Sequence, residues 1–200
     1  MPLFPAFLKI AGRRCLVVGA GRVAEDKIES LLNAGANVVV VAPDATAKIA
    51  AWANSGEIRW RSRLYRASDL RGAFLVIAAT SSPKLHAAVY KEARRRGILC
   101  NVVDDPEHCD FYYGSVVRRG SLQIAISTEG HSPALAQRLR KKLEQEFDSQ
   151  YEQWLEEIGA VRKRLFAKSI SAVRRKELLH RLASEFSFED FLRRAKRKKK

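Results

Sequence analysis

The stretch Val17-Val18-Gly19-Ala20-Gly21-Arg22-Val23-Ala24-Glu25-Asp26-Lys27 decides the fold. The run Cys15–Val18 is apolar, as a buried strand requires, and the residues after Gly21 have the spacing of an amphipathic helix. Two glycines and a small third residue, G-x-G-x-x-A, form a dinucleotide fingerprint. Gly19 permits the tight turn, Gly21 lets a pyrophosphate approach the backbone, and Ala24 lets the helix pack close to the strand. The helix start then offers unpaired N–H groups and a partial positive charge to phosphates. The alternative is a plain strand–turn–helix unit with no ligand.

Outward from this motif the pattern alternates. Phe7–Ile10 is expected to be a short strand that turns at Ala11-Gly12-Arg13 into Arg14–Val18. A helix over Val23–Asn33 ends before Gly35. Asn37–Ala42 is a continuous apolar run, a parallel strand buried on both faces. A helix at Ala45–Asn54 and strands at Ile58–Arg63 and Phe74–Ala79 follow. The next helix is opened by Ser82-Pro83 and stopped by Gly97, and a last strand covers Ile98–Val103. Strand–helix alternation implies an α/β fold with a doubly wound, Rossmann-type parallel sheet. Ligands of such sheets lie outside the carboxyl ends of the strands, so Gly19–Val23, Pro43-Asp44, Ala79-Thr80 and Asp104 should share one crevice. No acid ends the second strand. Asp44 comes two residues late and reaches a ribose only if the Pro43 turn bends it back. No arginine follows to hold a 2′-phosphate, which favours NAD over NADP.

After Pro106 the pattern changes. Ser115–Arg118 and Leu122–Ser127 flank Arg119-Gly120-Ser121 as a hairpin. Ser132 caps and Pro133 opens a long helix with Leu135, Leu139, Leu143 and Phe147 in line. The chain is helical from there almost to its end, and Ser187-Phe188-Glu189-Asp190 has the form of a capping box for the last helix. The expected organisation is a dinucleotide-binding Rossmann domain over 1–113, a hairpin–helix dimerisation region over 114–150, and a small helical C-terminal domain with a basic tail over 151–200. A homodimer is expected, because an apolar hairpin and a long helix outside such a core suit a subunit contact.

Composition narrows the class. The chain is 46% apolar, ordinary for a globular protein. The N-terminal Met1–Leu8 is apolar but proline-broken and too short for a signal peptide, and no stretch is long enough to span a bilayer. Three cysteines exclude a fully paired disulfide framework, and a reducing cytoplasm is the simplest setting. The net charge is +15, much of it after Arg162 and at Arg193–Lys200. The plain reading of that tail is a solvated basic end; the functional ones are attraction for nucleic acid or for an anionic small molecule. A ligand-sensing Rossmann module gripping nucleic acid with its tail is the alternative function. Nothing resembling a recognition helix or an RNA-binding motif supports it.

Several residues could carry chemistry. Asp104 ends a buried strand at the crevice, where a carboxylate can act as a base; the alternative is an Asp-Asp-Pro turn that only caps the strand. Asn101, earlier on that strand, is expected on the same face, hydrogen-bonded either to substrate or to backbone. Thr128, Gly130 and Ser132 resemble an anion cradle at a helix start, or else an ordinary capped helix. His108 and Cys109 are metal-capable, but their spacing matches no closed zinc site. His86 and His180 are expected to be surface or boundary residues on helices.

Taken together the motifs resemble the precorrin-2 dehydrogenase / sirohydrochlorin ferrochelatase family, including the N-terminal module of siroheme synthases. The resemblance rests on Pro2–Leu8, Cys15–Ala24 with Lys27, Ala34-Gly35-Ala36, Trp52-Ala53-Asn54, Ile77–Thr80, Cys100–Asp104 and Ser127–Ala136. It covers about Met1 to Leu155, and the C-terminal helices match only in kind. It implies NAD-dependent oxidation of precorrin-2, a polycarboxylate tetrapyrrole, to sirohydrochlorin in siroheme biosynthesis, with ferrous iron insertion as a further activity of some members. It implies that Asp104 is the acid–base group. It implies cofactor contacts at Gly19, Gly21, Arg22, Val23, Pro43, Asp44 and Thr80, and a dimer whose active site lies between subunits. Substrate carboxylates would be drawn by the basic charge, with Arg118, Arg119, Arg138 and Arg140 nearer the site than the tail. Two positions depart from the family pattern: Thr128-Glu129-Gly130 replaces Ser-Gly-Gly, and Gly114 stands where proline is common. No methyltransferase module follows, so this chain is not expected to make precorrin-2 itself.

Overall fold

The computed structural model describes residues 3–197. The chain divides into two bodies, one of Phe4–Tyr113 and one running on from Gly114 that also takes in Leu3.

The first body is a five-stranded parallel sheet in the order β3-β2-β1-β4-β5. Its strands are β1 (Arg14–Val18), β2 (Asn37–Ala42), β3 (Ile58–Ser62), β4 (Leu75–Ala78) and β5 (Leu99–Val102); its helices are α1 (Arg22–Asn33), α2 (Ala47–Asn54) and α3 (Pro83–Arg95). Alternate residues of β1, β2 and β4 feed two cores. Cys15, Val17, Val38, Val40, Leu75 and Ile77 pack with Ala24, Ile28 and Leu31 of α1 and with Ile49 of α2. Leu16, Val18, Val39, Val41, Val76 and Ala78 pack with Val89 and Ala93 of α3. A strand buried on both faces must be apolar throughout, which is why these runs do not alternate in sequence. The Rossmann-type sheet is as expected. The strand expected at Phe7–Ile10 does not form. β1 is central, with β2 and β4 on its two edges, so the preceding segment cannot pair with the strand it leads into; only Ile10 of that segment is buried.

The second body begins with the hairpin β6 (Ser115–Arg119) and β7 (Leu122–Ile126). Arg119 faces Leu122 across a two-residue turn, and Gly120 takes the positive φ of 55° that such a turn needs at its first position. Helix α4 (Pro133–Glu146) packs on the hairpin and buries Ala136, while Leu135 and Leu139 stay exposed. Helices α5 (Gln150–Phe166) and α7 (Glu185–Arg197) meet at Tyr151, Trp154, Phe188 and Phe191, whose rings lie 4.4–6.4 Å apart in sequence of contact, and α6 (Ala172–Leu182) packs against both helices. The last helix starts earlier than expected. Ser184 Oγ accepts from Ser187 N, so Ser184 is the cap and Ser187 sits inside the first turn. The last three residues of the basic tail, Lys198–Lys200, lie outside the described residues, as do Met1 and Pro2.

Candidate active site

The crevice lies at the carboxyl ends of β1, β2, β4 and β5 and has a volume of about 770 Å³, within the range of cofactor and small-molecule sites. Gly19, Gly21, Arg22, Val23, Pro43, Thr80 and Asp104 all line it. The topology explains the convergence. Parallel strands present all their carboxyl ends on one side, and β1 between β2 and β4 places the first turn at the centre.

Each glycine of the first turn has its own constraint. Gly19 has φ +108°, and a Cβ there would lie 2.1 Å from Ala79 O and 3.1 Å from Thr80 Cγ2. Glycine alone permits that backbone conformation and that approach. Gly21 has an extended backbone and forms the N-cap of α1 without a side-chain cap. A Cβ on Gly21 would meet nothing within 4 Å, so the space beside it is open. The helix start is thus bare on the crevice side, as a pyrophosphate requires. On this cradle the residues fit a dinucleotide.

Asp104 lies two residues past β5, in the turn closed by Asp105 N donating to Val102 O, and has φ +60°. Aspartate tolerates the left-handed region better than most residues, yet the conformation still costs about 1 kcal/mol or more, and such residues cluster at functional sites. Lys27, on the inner side of α1, lies with its ammonium 4.0 Å from the ring centre of Tyr113. Burial pushes this lysine below its ordinary range, opposed by the negative charges of Asp26 and then Asp104. A half-buried cation therefore sits close enough to Asp104 for the two charges to act on each other.

Two expectations, for Asn101 and Asp44, need correcting. Asn101 does not face the crevice: it is 7% exposed, and its Nδ2 donates to Phe111 O at 2.8 Å and to Cys109 Sγ at 3.3 Å. A buried carboxamide must be hydrogen-bonded, and this one ties the returning chain to β5. Asp44 is exposed and lies beyond the crevice lining, which stops at Pro43. His108 is engaged locally, with Nδ1 2.7 Å from Asp105 Oδ2 and its ring edge-on to Tyr90. His86 is more than a boundary residue, because its Nε2 lies 2.8 Å from Thr80 O.

Thr128, Gly130 and Ser132 belong to the second body. Thr128 Oγ1 accepts from Ser132 N, and Ser132 Oγ accepts from Leu135 N, the ordinary cap of α4. Glu129 has φ +51°, and its carboxylate accepts from Leu3 N. At Gly114 a Cβ would lie 2.7 Å from Ile126 O, which accounts for glycine there.

The sequence reading missed one wall of the crevice, Leu64 and Tyr65 after β3. That loop is held by Asp69, only 1% exposed, which accepts from Arg61, from both Nη atoms of Arg63, and from Arg66 N. The guanidinium of Arg63 is the main cause of the drop in the Asp69 carboxyl to about 2. Arg63 also donates to Leu64 O. The Arg-x-Arg spacing at 61 and 63 with an acid six residues on was the available signal. Tyr65 Oη is buried without a hydrogen-bond partner among the described residues, and burial pushes its phenol up to about 12.

Comparison with known proteins agrees with this geometry. Residues 6–115 match the family model described as "Putative NAD(P)-binding", and residues 119–146 match that of "Sirohaem biosynthesis protein central". The chain belongs to the putative NAD(P)-binding family of the first of these, whose model matches more than half of it. It is 45% identical over 144 residues to the siroheme synthase of Methylococcus capsulatus, covering 72% of this chain and 30% of that protein. It is 38% identical over 184 residues to siroheme synthase 1 of Aeromonas salmonicida, covering 92% of this chain and 39% of that protein. The chain thus spans between a quarter and a half of the length of these curated relatives. Among solved structures, the SirC precorrin-2 dehydrogenase superposes with a TM-score of 0.78 at 28% identity, covering 98% of this chain and all of that one. The NAD(P)-binding match over residues 6–115 coincides with the first body, which carries the turn at Gly19 and Gly21.

Proposed function

We propose that this chain is an NAD-dependent dehydrogenase that oxidises precorrin-2 to sirohydrochlorin, with Asp104 as its base. The observation that carries the reading is that Asp104 stands at the rim of the same crevice as the Gly19–Val23 turn and Thr80. The family membership and the solved precorrin-2 dehydrogenase of the same fold support it.

When bound, NAD+ supplies the hydride acceptor. The protein's own residues do the rest. The backbone of Gly19–Val23 and the start of α1 would hold the pyrophosphate, and Pro43 and Thr80, which line the same crevice, would hold the rest of the dinucleotide. Oxidation also releases a proton from the macrocycle, and the Asp104 carboxylate receives it. Thr128, Gly130 and Ser132 are proposed to meet substrate carboxylates, since the two hydroxyls accept backbone hydrogen bonds and still have O–H groups to donate. The excess of basic side chains favours a polyanionic substrate. A homodimer is proposed through the second body, where Leu135 and Leu139 are exposed on α4. A reducing compartment suits three free cysteines, and among the described residues no helix is long and apolar enough to cross a membrane.

The test supplies precorrin-2 and NAD+ anaerobically and follows NADH. Asp104→Asn should bind NADH like the parent and lose turnover by about a hundredfold or more. Normal turnover in that variant removes Asp104 as the base. Ferrous iron added to the product then tests for metal insertion: siroheme formation assigns that step to this chain, and its absence limits the chain to oxidation.

A further inference from the structure

The turn between β4 and α3, Ala79–Ser82, is gripped from both sides. On one side Gly19 lies so close that a Cβ there would be 2.1 Å from Ala79 O. On the other side His86 Nε2 is 2.8 Å from Thr80 O. A carbonyl only accepts, so Nε2 carries the proton and Nδ1 does not need to. Within the turn, Ser82 N donates to Thr80 Oγ1, and Ser82 Oγ caps Leu85 N.

The grip has a geometric consequence. The Thr80–Ser81 peptide is trans and planar, so its C=O and N–H point in opposite directions. With Thr80 O directed at His86, the Ser81 N–H is directed away from His86. Thr80 and Ser81 line the crevice and His86 does not. Ser81 N–H has no protein acceptor among the described residues, whereas the Ser82 N–H is used within the turn.

We propose that His86 is a positioning residue for the dinucleotide. It locks the Thr80–Ser81 peptide so that the Ser81 N–H is offered to an acceptor oxygen of the cofactor. This rests on the dinucleotide reading of the crevice and goes beyond it, because His86 touches neither cofactor nor substrate. The device works through orientation: the N–H is held before the ligand arrives, so no peptide flip has to be suppressed on binding.

The experiment measures NADH affinity by fluorescence titration, steady-state KM for NAD+ and for precorrin-2, kcat, and Tm. Three variants of the full chain are compared: His86→Ala, His86→Leu, which keeps bulk without a donor, and His86→Gln, which keeps a terminal N–H donor. The expected result is an NADH Kd and a KM for NAD+ raised about tenfold in the Ala and Leu variants, as loss of one oriented hydrogen bond predicts. The kcat and the KM for precorrin-2 should change by less than about twofold, because the Asp104 end is untouched. The Gln variant should recover the parent affinity to within about threefold. If His86→Ala fails to fold, the Leu and Gln pair decides. Unchanged NADH affinity in His86→Leu, a loss confined to kcat, or no recovery in a folded His86→Gln each overturns the proposal. If the parent protein binds no NADH, the cofactor reading falls and this inference falls with it; parent binding with equal binding by His86→Leu removes this inference alone.

Discussion

Alanine at Gly19 and at Gly21 should act on different quantities, although the two residues stand two positions apart in one motif. At Gly19 the backbone has φ +108°, and the new Cβ would sit 2.1 Å from Ala79 O, where ordinary contact begins near 3.4 Å. Something must move by more than an ångström. Ala79 cannot give way freely, because its N–H is bonded to Val18 O and the next carbonyl is held by His86. Strain at a disallowed φ and overpacking each cost about 1–3 kcal/mol, so Gly19→Ala should destabilise the protein by about 3 kcal/mol. For a chain of this length that lowers Tm by roughly 6–12 °C. At Gly21 the φ is −86° and the Cβ meets nothing within 4 Å. Gly21→Ala should cost less than about 1 kcal/mol, the difference between glycine and alanine at an N-cap. Its methyl group would occupy the space over the helix start proposed for the pyrophosphate. The assay pairs thermal unfolding with NADH titration. Gly19→Ala should lose both stability and binding, and Gly21→Ala should keep Tm within about 3 °C while weakening NADH by tenfold or more. A Gly21→Ala protein that binds NADH like the parent would refute the placement of a diphosphate on this turn.

The buried Asp69 predicts a pH dependence. Its carboxyl is lowered from 3.8 to about 2 in the folded protein, so the folded state binds this proton less readily than the unfolded chain. The stabilisation is fully present above about pH 4 and is lost as pH falls toward 2, a contribution of about 2 kcal/mol. Urea unfolding at stepped pH should show that loss in the parent, whereas Asp69→Asn should be about 3 kcal/mol less stable at neutral pH and lack this segment of the pH profile. Glu129→Gly should raise Tm by about 2 °C, because it relieves a non-glycine residue at φ +51° and gives up only an exposed 3.2 Å contact to Leu3 N. A lowered Tm would mean that the Glu129–Leu3 bond outweighs the backbone strain.

Much of the fold was legible because local rules and tertiary demands coincide in the first body. The run Asn37–Ala42 had to be a strand buried on both faces, since the five apolar residues Val38–Ala42 in a row suit no half-exposed element. Ser82-Pro83 opened α3 as serine and proline should. The failures came where partners far apart in sequence decide. Phe7–Ile10 had strand-like residues, but both edges of β1 were already taken. Ser187–Asp190 had the letters of a capping box, yet the serine three residues earlier captured the helix start. Asn101 was a polar residue on a strand near the crevice, and only the return of Phe111 and Cys109 beside it shows where its amide goes.

The amino-acid order alone determined the strand–helix alternation, the glycine turn and the position of Asp104 at the end of a strand. Those features depend on neighbours within a few residues, where backbone sterics and hydrophobic period leave few choices. The tertiary structure decided that Leu64 and Tyr65 wall the crevice, that Asp69 gathers Arg61 and Arg63, and that His86 holds the Thr80 carbonyl. These are pairings of polar groups across turns, and a polar side chain finds its partner only once burial has removed water as the alternative.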